Sequence, residues 1–503
     1  MPGFSPAFLC DEISDNQNLI RPSLLLALAS PKETRSPMTV DLPRYQILEG
    51  TLRQQIESGR WRRGERLPSI RALCHHYGFS KITVQHALQK LEAQGFVEAR
   101  ERSGFFVSGD PGEFESPRHA SIMEAPKPVS VSEVFQDIMT RSAAFDLLPG
   151  LHRDEPPPGI IQLNRSIGRA LRRQRGSFQY YDEPAGDREL RHQLALRFAK
   201  RGWTAEADQF CVTSGCQQSL FLALMAVCQR GDVVAVEAPG FYGVLQLLEQ
   251  LQLKVVEIPA SPQNGMDISA LEEAVQVWDV KACVVSPSFA TPTGAVMPSG
   301  ARRCLLELAD RYELAVIEDD IYAESGWRGV PDTLKAMDGS DRVIHCSSFS
   351  KVLSRDLRLG WVSGGRWHSK ILQLKLTSQL ASSRFLQQGV AEFIAEGGYT
   401  AFLRRFRQSL QLQRDQLLGL IGAWPVPLRA TTPQGGLTLW AELPDDVDTL
   451  GLYSRALEEG IVITPGSLFS VSGSFSNCLR ISFAHRWNEA RVGAVKRLSE
   501  LVT

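Results

Sequence analysis

The 503 residues carry 55 Lys and Arg against 56 Asp and Glu, a formal net charge of -1, with 43% hydrophobic residues, so the chain as a whole does not advertise a polyanionic partner. Nine cysteines stand singly with no C-x-x-C spacing, which argues against a zinc site or a disulfide framework and fits a reducing cytoplasm. No apolar run approaches the length of a membrane span, and 503 residues allow several domains.

Residues 1–40 read as a loosely ordered extension. The run Leu24–Ala29 is shorter than a signal-peptide core, and acidic Asp11, Glu12 and Asp15 precede it in place of a basic segment. Met38 is expected to lie nearer the start of the folded protein than Met1.

Residues 41–109 form a compact unit with 11 Lys and Arg against 7 Asp and Glu, a local basic excess. Ile47, Leu48, Leu52 and Ile56 recur on one face and predict a helix over Tyr45–Ser58, which Gly59 stops. Trp61–Pro68 reads as a turn. Ser69 caps a short helix, Ile70–Tyr77, and Gly78 ends it. Ser80 caps a longer one, Lys81–Gln94, and Gly95 ends that. Phe96–Ala99 and Phe105–Ser108 predict a hairpin. Three helices and a hairpin, with two helices joined by a tight glycine turn, make a winged helix-turn-helix. The second helix of the turn presents Lys81, Thr83, Gln85 and His86, residue types that contact phosphates and base edges; Arg100 and Arg102 sit on the wing. The stretch Tyr45–Val107 resembles the DNA-binding domain of the GntR family. That resemblance implies that Arg66, Arg71, Lys81 and the wing glycine Gly104 face double-stranded DNA.

Residues 110–158 are rich in Pro, Ser and charge and read as a linker, with one short helix at Glu133–Thr140. From residue 159 to 503 short apolar strands alternate with helices. The strands are Phe210–Thr213, Val233–Glu237, Val255–Ile258, Ala282–Ser286, Ala315–Glu318, Val343–Cys346 and Gly360–Val362, as in a mostly parallel α/β sheet. Such sheets bind ligands at the carboxyl ends of their strands.

Chemistry-bearing residues fall at those ends. Ser214-Gly215-Cys216-Gln217 opens a helix, where free amides bind phosphate. Phe241 and Tyr242 follow Pro239-Gly240. Asp319 follows the strand Ala315–Glu318, with Tyr322 three residues on. Arg480 stands inside an apolar strand, where a cation needs an anionic partner. In Cys346–Trp361, CSSFSKVLSRDLRLGW, one lysine lies among hydroxyls with an arginine seven residues later. A lysine so placed can form a Schiff base with a carbonyl cofactor whose phosphate the hydroxyls and arginine hold.

Taken in this order, residues 159–503 resemble the fold-type I pyridoxal-phosphate aminotransferases. The resemblance implies that Lys351 is the Schiff-base lysine, that Asp319 pairs with the pyridine nitrogen and that Tyr322 donates to the ring hydroxyl. It implies phosphate contacts from Gly215, Cys216, Gln217, Ser348 and Arg358, and ring stacking by Phe241 with Tyr242 as the alternative. Tyr181 would reach the neighbouring subunit's phosphate, and Arg480 would bind a carboxylate. The family often reads Asn-Pro-Thr-Gly where this chain has Thr291-Pro292-Thr293-Gly294, so Thr291 would touch the ring oxygen with a shorter side chain.

A GntR-type head on an aminotransferase-like body is the organisation of the MocR subfamily of bacterial transcription regulators. The resemblance implies a cytoplasmic, pyridoxal-phosphate-dependent DNA-binding regulator, a head-to-tail homodimer that senses a small amino compound or the cofactor itself. A working aminotransferase with a tethered DNA-binding head is the alternative.

Overall fold

The computed structural model describes residues 44–57, 60–61, 65–93, 96–100, 104–107, 114–118, 123–129, 133–140, 146–148, 157–174 and 179–502. The expected extension, residues 1–40, lies outside them.

In the head, α1 (Arg44–Glu57), α2 (Ile70–Tyr77) and α3 (Lys81–Ala93) close on buried Leu48, Leu52, Leu73, Val84, Leu88 and Leu91. Local chemistry sets the helix ends. Ser69 Oγ accepts from the Ala72 amide and Ser80 Oγ from the Thr83 amide, each at 3.2 Å, satisfying donors that have no partner inside the helix. Gly78, at φ +66°, makes the left-handed turn between α2 and α3. The wing is β1 (Val97–Arg100) paired antiparallel with β2 (Gly104–Val107), each a residue away from expectation. The stretch read as a plain turn joins the wing. The Leu67 amide donates to the Phe105 carbonyl at 2.8 Å, and the Val107 amide to the Glu65 carbonyl at 2.9 Å. Leu67 is buried in the head core, and that burial draws its strand onto β2.

Described parts of the segment expected as a linker pack on the body. β3 (Lys127–Pro128) pairs antiparallel with the body's edge strand β6, defined below, and α4 (Glu133–Thr140) buries Ile138. Leu147 and Leu148 are also buried in the body's main core. The segment lacks long periodicity because it docks through isolated apolar residues and backbone pairs.

The body begins with α5 (Pro158–Arg172) and α6 (Arg188–Ala199). Then come β4 (Cys211–Thr213), α7 (Cys216–Val227), β5 (Val233–Ala238), α8 (Tyr242–Gln250), β6 (Lys254–Ser261), β7 (Gly265–Met266), α9 (Ile268–Val277) and β8 (Val280–Val285). They are followed by α10 (Ser299–Arg311), β9 (Ala315–Asp319), α11 (Leu334–Met337), β10 (Val343–Ser348) and β11 (Gly360–Ser363). The sheet runs β3-β6-β5-β8-β9-β10-β11-β4, with β7 beside β6. β6, β5, β8, β9 and β10 are mutually parallel, and β11 is antiparallel to both its neighbours. Every residue of β9 and β10 is buried, as expected of strands covered on both faces. All seven expected strands are present, with ends shifted by up to three residues.

After α12 (His368–Gln379), α13 (Arg384–Ala395) and the long α14 (Gly398–Ile421), a second sheet forms from β12 (Arg429–Ala430), β13 (Thr438–Glu442), β14 (Thr464–Pro465) and β15 (Cys478–Ser482). Its order is β12-β13-β15-β14, all antiparallel, flanked by α15 (Thr449–Glu458) and α16 (Glu489–Val502). Of this sheet the sequence announced only the strand around Arg480; two of its strands are two residues long and leave no periodic signal.

Candidate functional site

The site lies where the parallel strands of the large sheet end and β15 of the small sheet faces them. Lys351 follows β10 by three residues. Burial, then the cations of Arg355 and Arg480, push its amine down to about 7, against the opposing pull of Asp319. An amine so lowered is in large part neutral and nucleophilic at neutral pH. Arg355 carries no signal in the strand pattern; its position four residues after Lys351 is what could have marked it.

Asp319 is the last residue of β9 and is 3% exposed. Its Oδ1 accepts from the Cys216 thiol and from the Ile321 amide, each at 3.3 Å. Burial raises its carboxyl to about 6. Its neighbour Asp320 is equally buried but differently served. Burial works against its charge, yet Arg201 and His345 hold it down at about 2. Arg201 donates to both its oxygens at 2.5 and 3.1 Å, and His345 Nε2 lies 3.2 Å away. The pair Asp319-Asp320 is therefore no solvated acidic turn: one acid is spent on structure and the other faces the site. Tyr322 is 4% exposed, and burial pushes its phenol up.

A candidate anion cradle sits at the start of α7. Gly215 caps the helix at φ +111° and ψ +170°, and the Cys216 and Gln217 amides begin it, where no intrahelical acceptor exists. A Cβ on Gly215 would lie 3.0 Å from Arg358 Nη2, so the missing side chain is what admits the guanidinium. Arg358 donates to the Ser214 carbonyl at 2.8 Å. Ser348 Oγ accepts from the Ser350 amide at 3.3 Å, while the buried Ser350 hydroxyl has no hydrogen-bond partner. Gln379 Nε2 donates to Ser214 Oγ at 2.5 Å. Ser350 is one of the hydroxyls that surround Lys351 in the sequence and Ser214 opens the helix-start motif; Gln379 was not singled out.

The side chains of two expected phosphate binders turn elsewhere. Cys216 donates its thiol to Asp319, and burial beside that acid pushes the thiol up. Gln217 Nε2 donates to the Gly243 carbonyl at 2.9 Å. Only their backbone amides remain for an anion. Phe241 is partly exposed at the start of α8. Tyr242, the alternative, is buried, and its hydroxyl accepts from Arg480 Nη1 at 3.3 Å, leaving Phe241 for stacking. Arg480, 3% exposed on β15, also donates to Thr464 Oγ1 at 3.2 Å. Thr291 is buried with an unpartnered hydroxyl. Tyr181 is 79% exposed in a turn whose carbonyl accepts from Arg384 at 2.9 Å; the chain does not bring it to its own site.

These residues fit pyridoxal phosphate on structural grounds. The Gly215–Arg358 cradle suits its phosphate, the buried acid Asp319 suits a protonated ring nitrogen, and the orphaned Thr291 and Ser350 hydroxyls await polar partners. Among the described residues no cluster of His, Cys, Asp and Glu could hold a metal ion.

In the head, Arg66, Arg71, Lys81 and Gly104 line one cavity of about 620 Å³ together with Ser69. Gly104 has φ +102°, a conformation that favours glycine, and lies against the Arg66 guanidinium. Gln85 is exposed on α3. Thr83 is occupied in the helix cap, its hydroxyl 2.9 Å from that of Ser80. His86 stacks on Tyr45 of α1 with ring centroids 4.1 Å apart, so its ring is turned to the head's own helix. Ile82, not singled out in the sequence, is 79% exposed beside Lys81. Arg102 lies outside the described residues. No described helix is long and apolar enough to cross a membrane.

Comparison with known proteins places both parts. The family model "Aminotransferase class I and II" matches residues 148–498, and "Bacterial regulatory proteins, gntR family" matches residues 44–107. The relative named "Uncharacterized HTH-type transcriptional regulator YjiR", of Escherichia coli, is 36% identical over 92% of this chain and 99% of its own length. Among solved structures, Pyrococcus horikoshii kynurenine aminotransferase, in complex with PMP, superposes with a TM-score of 0.67 at 28% identity, covering 74% of this chain and 94% of its own. LysN, the alpha-aminoadipate aminotransferase of Thermus thermophilus, complexed with N-(5'-phosphopyridoxyl)-L-leucine, gives 0.66 at 28% identity over 74% and 94%.

Proposed function

We infer the function from this premise: the chain belongs to the class I and II aminotransferase family and bears a gntR-family head, the arrangement of the MocR regulators. It acts as a transcription regulator that binds pyridoxal phosphate in its body and double-stranded DNA through its head. One observation carries the reading: a single chain holds both the Gly215–Arg358 cradle beside the lowered amine of Lys351 and the basic cavity of Arg66, Arg71 and Lys81.

When bound, pyridoxal phosphate supplies an aldehyde that amines can exchange on and an electron-poor ring. Arg358, Ser348, Ser350 and the amides of Gly215, Cys216 and Gln217 would hold its phosphate. Asp319 would keep a proton on its ring nitrogen, Thr291 and Tyr322 would face its ring oxygen, and Phe241 would cover one ring face. Lys351 would supply the amine that joins the cofactor's aldehyde, and Arg480 would offer an amino compound's carboxylate a buried cation. The effector thus needs an amine and an anionic group. It alters DNA binding only if it binds two states of the body differently, a coupling commonly of about 1–3 kcal/mol.

The body works as a homodimer, since Tyr181 stands exposed at a position that would complete a neighbour's phosphate site. Two heads per dimer read a repeated operator from a head-to-tail assembly in the cytoplasm. A second reading, steady transamination, draws on the presence of Lys351, Asp319 and Tyr322 together at one site.

The test is absorbance of the purified protein with and without candidate amines, alongside binding to DNA from its own upstream region. A yellow band that amines shift, with an accompanying change in DNA affinity, is expected. Lys351→Ala should remove the amine-responsive band and leave the fold intact. A colourless protein that still binds DNA would overturn the cofactor reading. Sustained turnover of an amino donor with a keto acid would favour the enzyme.

A further inference from the structure

Only six residues of sequence, 108–113, separate the end of the wing at Val107 from the next described segment, 114–118. That segment lies on the small sheet. The Ala430 amide of β12 donates to the Glu115 carbonyl at 3.1 Å, and Glu115 accepts from Arg429 Nε at 3.0 Å. The Arg118 amide donates to Glu442 Oε2 at 2.7 Å and its Nε to Oε1 at 2.5 Å, while a second guanidinium nitrogen donates to Asp445. Glu442 is buried in the sheet at 5% exposure while the Arg118 side chain stays exposed, so the carboxylate is the fixed half of the pair and the Arg118 guanidinium reaches it from the surface. Phe114 packs against the body core and lies near Gly422.

We propose that this face of the small sheet, made by Ala430, Arg429, Glu442 and Asp445, is the docking surface through which the body sets the position of the DNA-binding head. Its occupant is the chain's own segment Phe114–Arg118. The ladder beneath explains why the contact would carry a signal. On β13 and β15, Glu442 pairs with Cys478 and Trp440 with Arg480. The anchor Glu442 and the effector-facing Arg480 thus belong to one antiparallel ladder, one side-chain repeat apart, roughly 7 Å along the strand. A shift of β15 that follows carboxylate binding at Arg480 moves β13 with it, because the two strands are paired in one ladder over five residues. The next described docked piece, β3, pairs with β6 of the large sheet, so the chain after the head is held both on the small sheet and on the large one. Arg118 is a positioning residue in this scheme: it touches neither effector nor DNA.

The transmission part rests on the regulatory reading above; the docking part does not, and two measurements on the full-length protein separate them. Hydrogen exchange reads docking alone. The Arg118 and Ala430 amides should be protected in wild type and lose protection in Arg118→Ala, which leaves Glu442 beside Arg429 Nη1 at 3.6 Å and so keeps the fold. DNA titration with and without an amine that shifts the yellow band reads transmission. The fold-change that the amine causes in wild type should fall to nearly onefold in Arg118→Ala, with the spectral response to the amine unchanged, and Arg118→Lys should restore part of it. Fast exchange at both amides in wild type refutes the docking surface. Protected amides with an unreduced amine effect in Arg118→Ala and in Phe114→Ala/Arg118→Ala refute the transmission. A wild-type protein whose DNA affinity ignores every band-shifting amine refutes the regulatory reading itself and leaves docking to the exchange result.

Discussion

Gly215→Ala tests the cofactor cradle most sharply, because two costs can be worked from the structure and told apart. The backbone at φ +111° and ψ +170° lies in a region that is essentially glycine-only, where a side chain costs about 1–3 kcal/mol. Independently, the new Cβ would meet Arg358 Nη2, Cζ and Nη1 at 3.0, 3.3 and 3.4 Å and push the guanidinium out of the cradle. Losing one charge-assisted hydrogen bond to phosphate costs about 1.5–3 kcal/mol, roughly a 10- to 100-fold rise in the dissociation constant. Gly231→Ala is the control: its φ is +90°, and nothing lies within 4 Å of where its Cβ would stand, so it carries backbone strain without touching Arg358. The assay is titration of the apoprotein with pyridoxal phosphate by absorbance, together with thermal unfolding without cofactor. Both variants should unfold at lower temperature, and only Gly215→Ala should bind the cofactor weakly. Wild-type affinity in Gly215→Ala, or an equal loss in Gly231→Ala, would show that the phosphate does not sit between Gly215 and Arg358.

Further outcomes follow from other parts of the chain. The rate at which apoprotein captures pyridoxal phosphate should rise with pH to a midpoint near 7, where the Lys351 amine becomes neutral; Arg355→Ala removes a cation that disfavours the ammonium, so the midpoint should move to higher pH in a stopped-flow series. Arg201→Ala leaves Asp320 buried beside His345 without its guanidinium partner and should destabilise the body by about 3–5 kcal/mol in urea unfolding. Lys81→Ala and Arg71→Ala should each weaken operator binding and flatten its salt dependence by about one counterion, which titrations at several salt concentrations would show. A body lacking residues 1–158 keeps Tyr181 but loses the docked β3 and α4; sedimentation should find it dimeric, and Tyr181→Phe should weaken cofactor binding without dissociating the dimer.

The sequence by itself determined the local chemistry and the order of the parts. Ser69, Gly78 and Ser80 set helix ends in the head because caps act over three or four residues, and those ends stand where the spacing put them. The buried strands of the large sheet were legible because residues covered on both faces must be apolar in a run. Lys351, Asp319 and Gly215 could be located at strand ends for the same reason. Tertiary structure decided what depends on residues distant in sequence. That Asp320 is spent on Arg201 and His345 while Asp319 stays available follows from burial and from partners 119 and 25 residues away. That the Cys216 thiol donates to Asp319 depends on how α7 meets β9, and that His86 stacks on Tyr45 depends on how α3 crosses α1. The segment read as a linker is held by Arg118 to a carboxylate 324 residues later. Spacing along a chain encodes hydrogen bonds within a few residues; a charge pair closed across hundreds of residues leaves no periodic trace, because only the packed fold brings its two halves together.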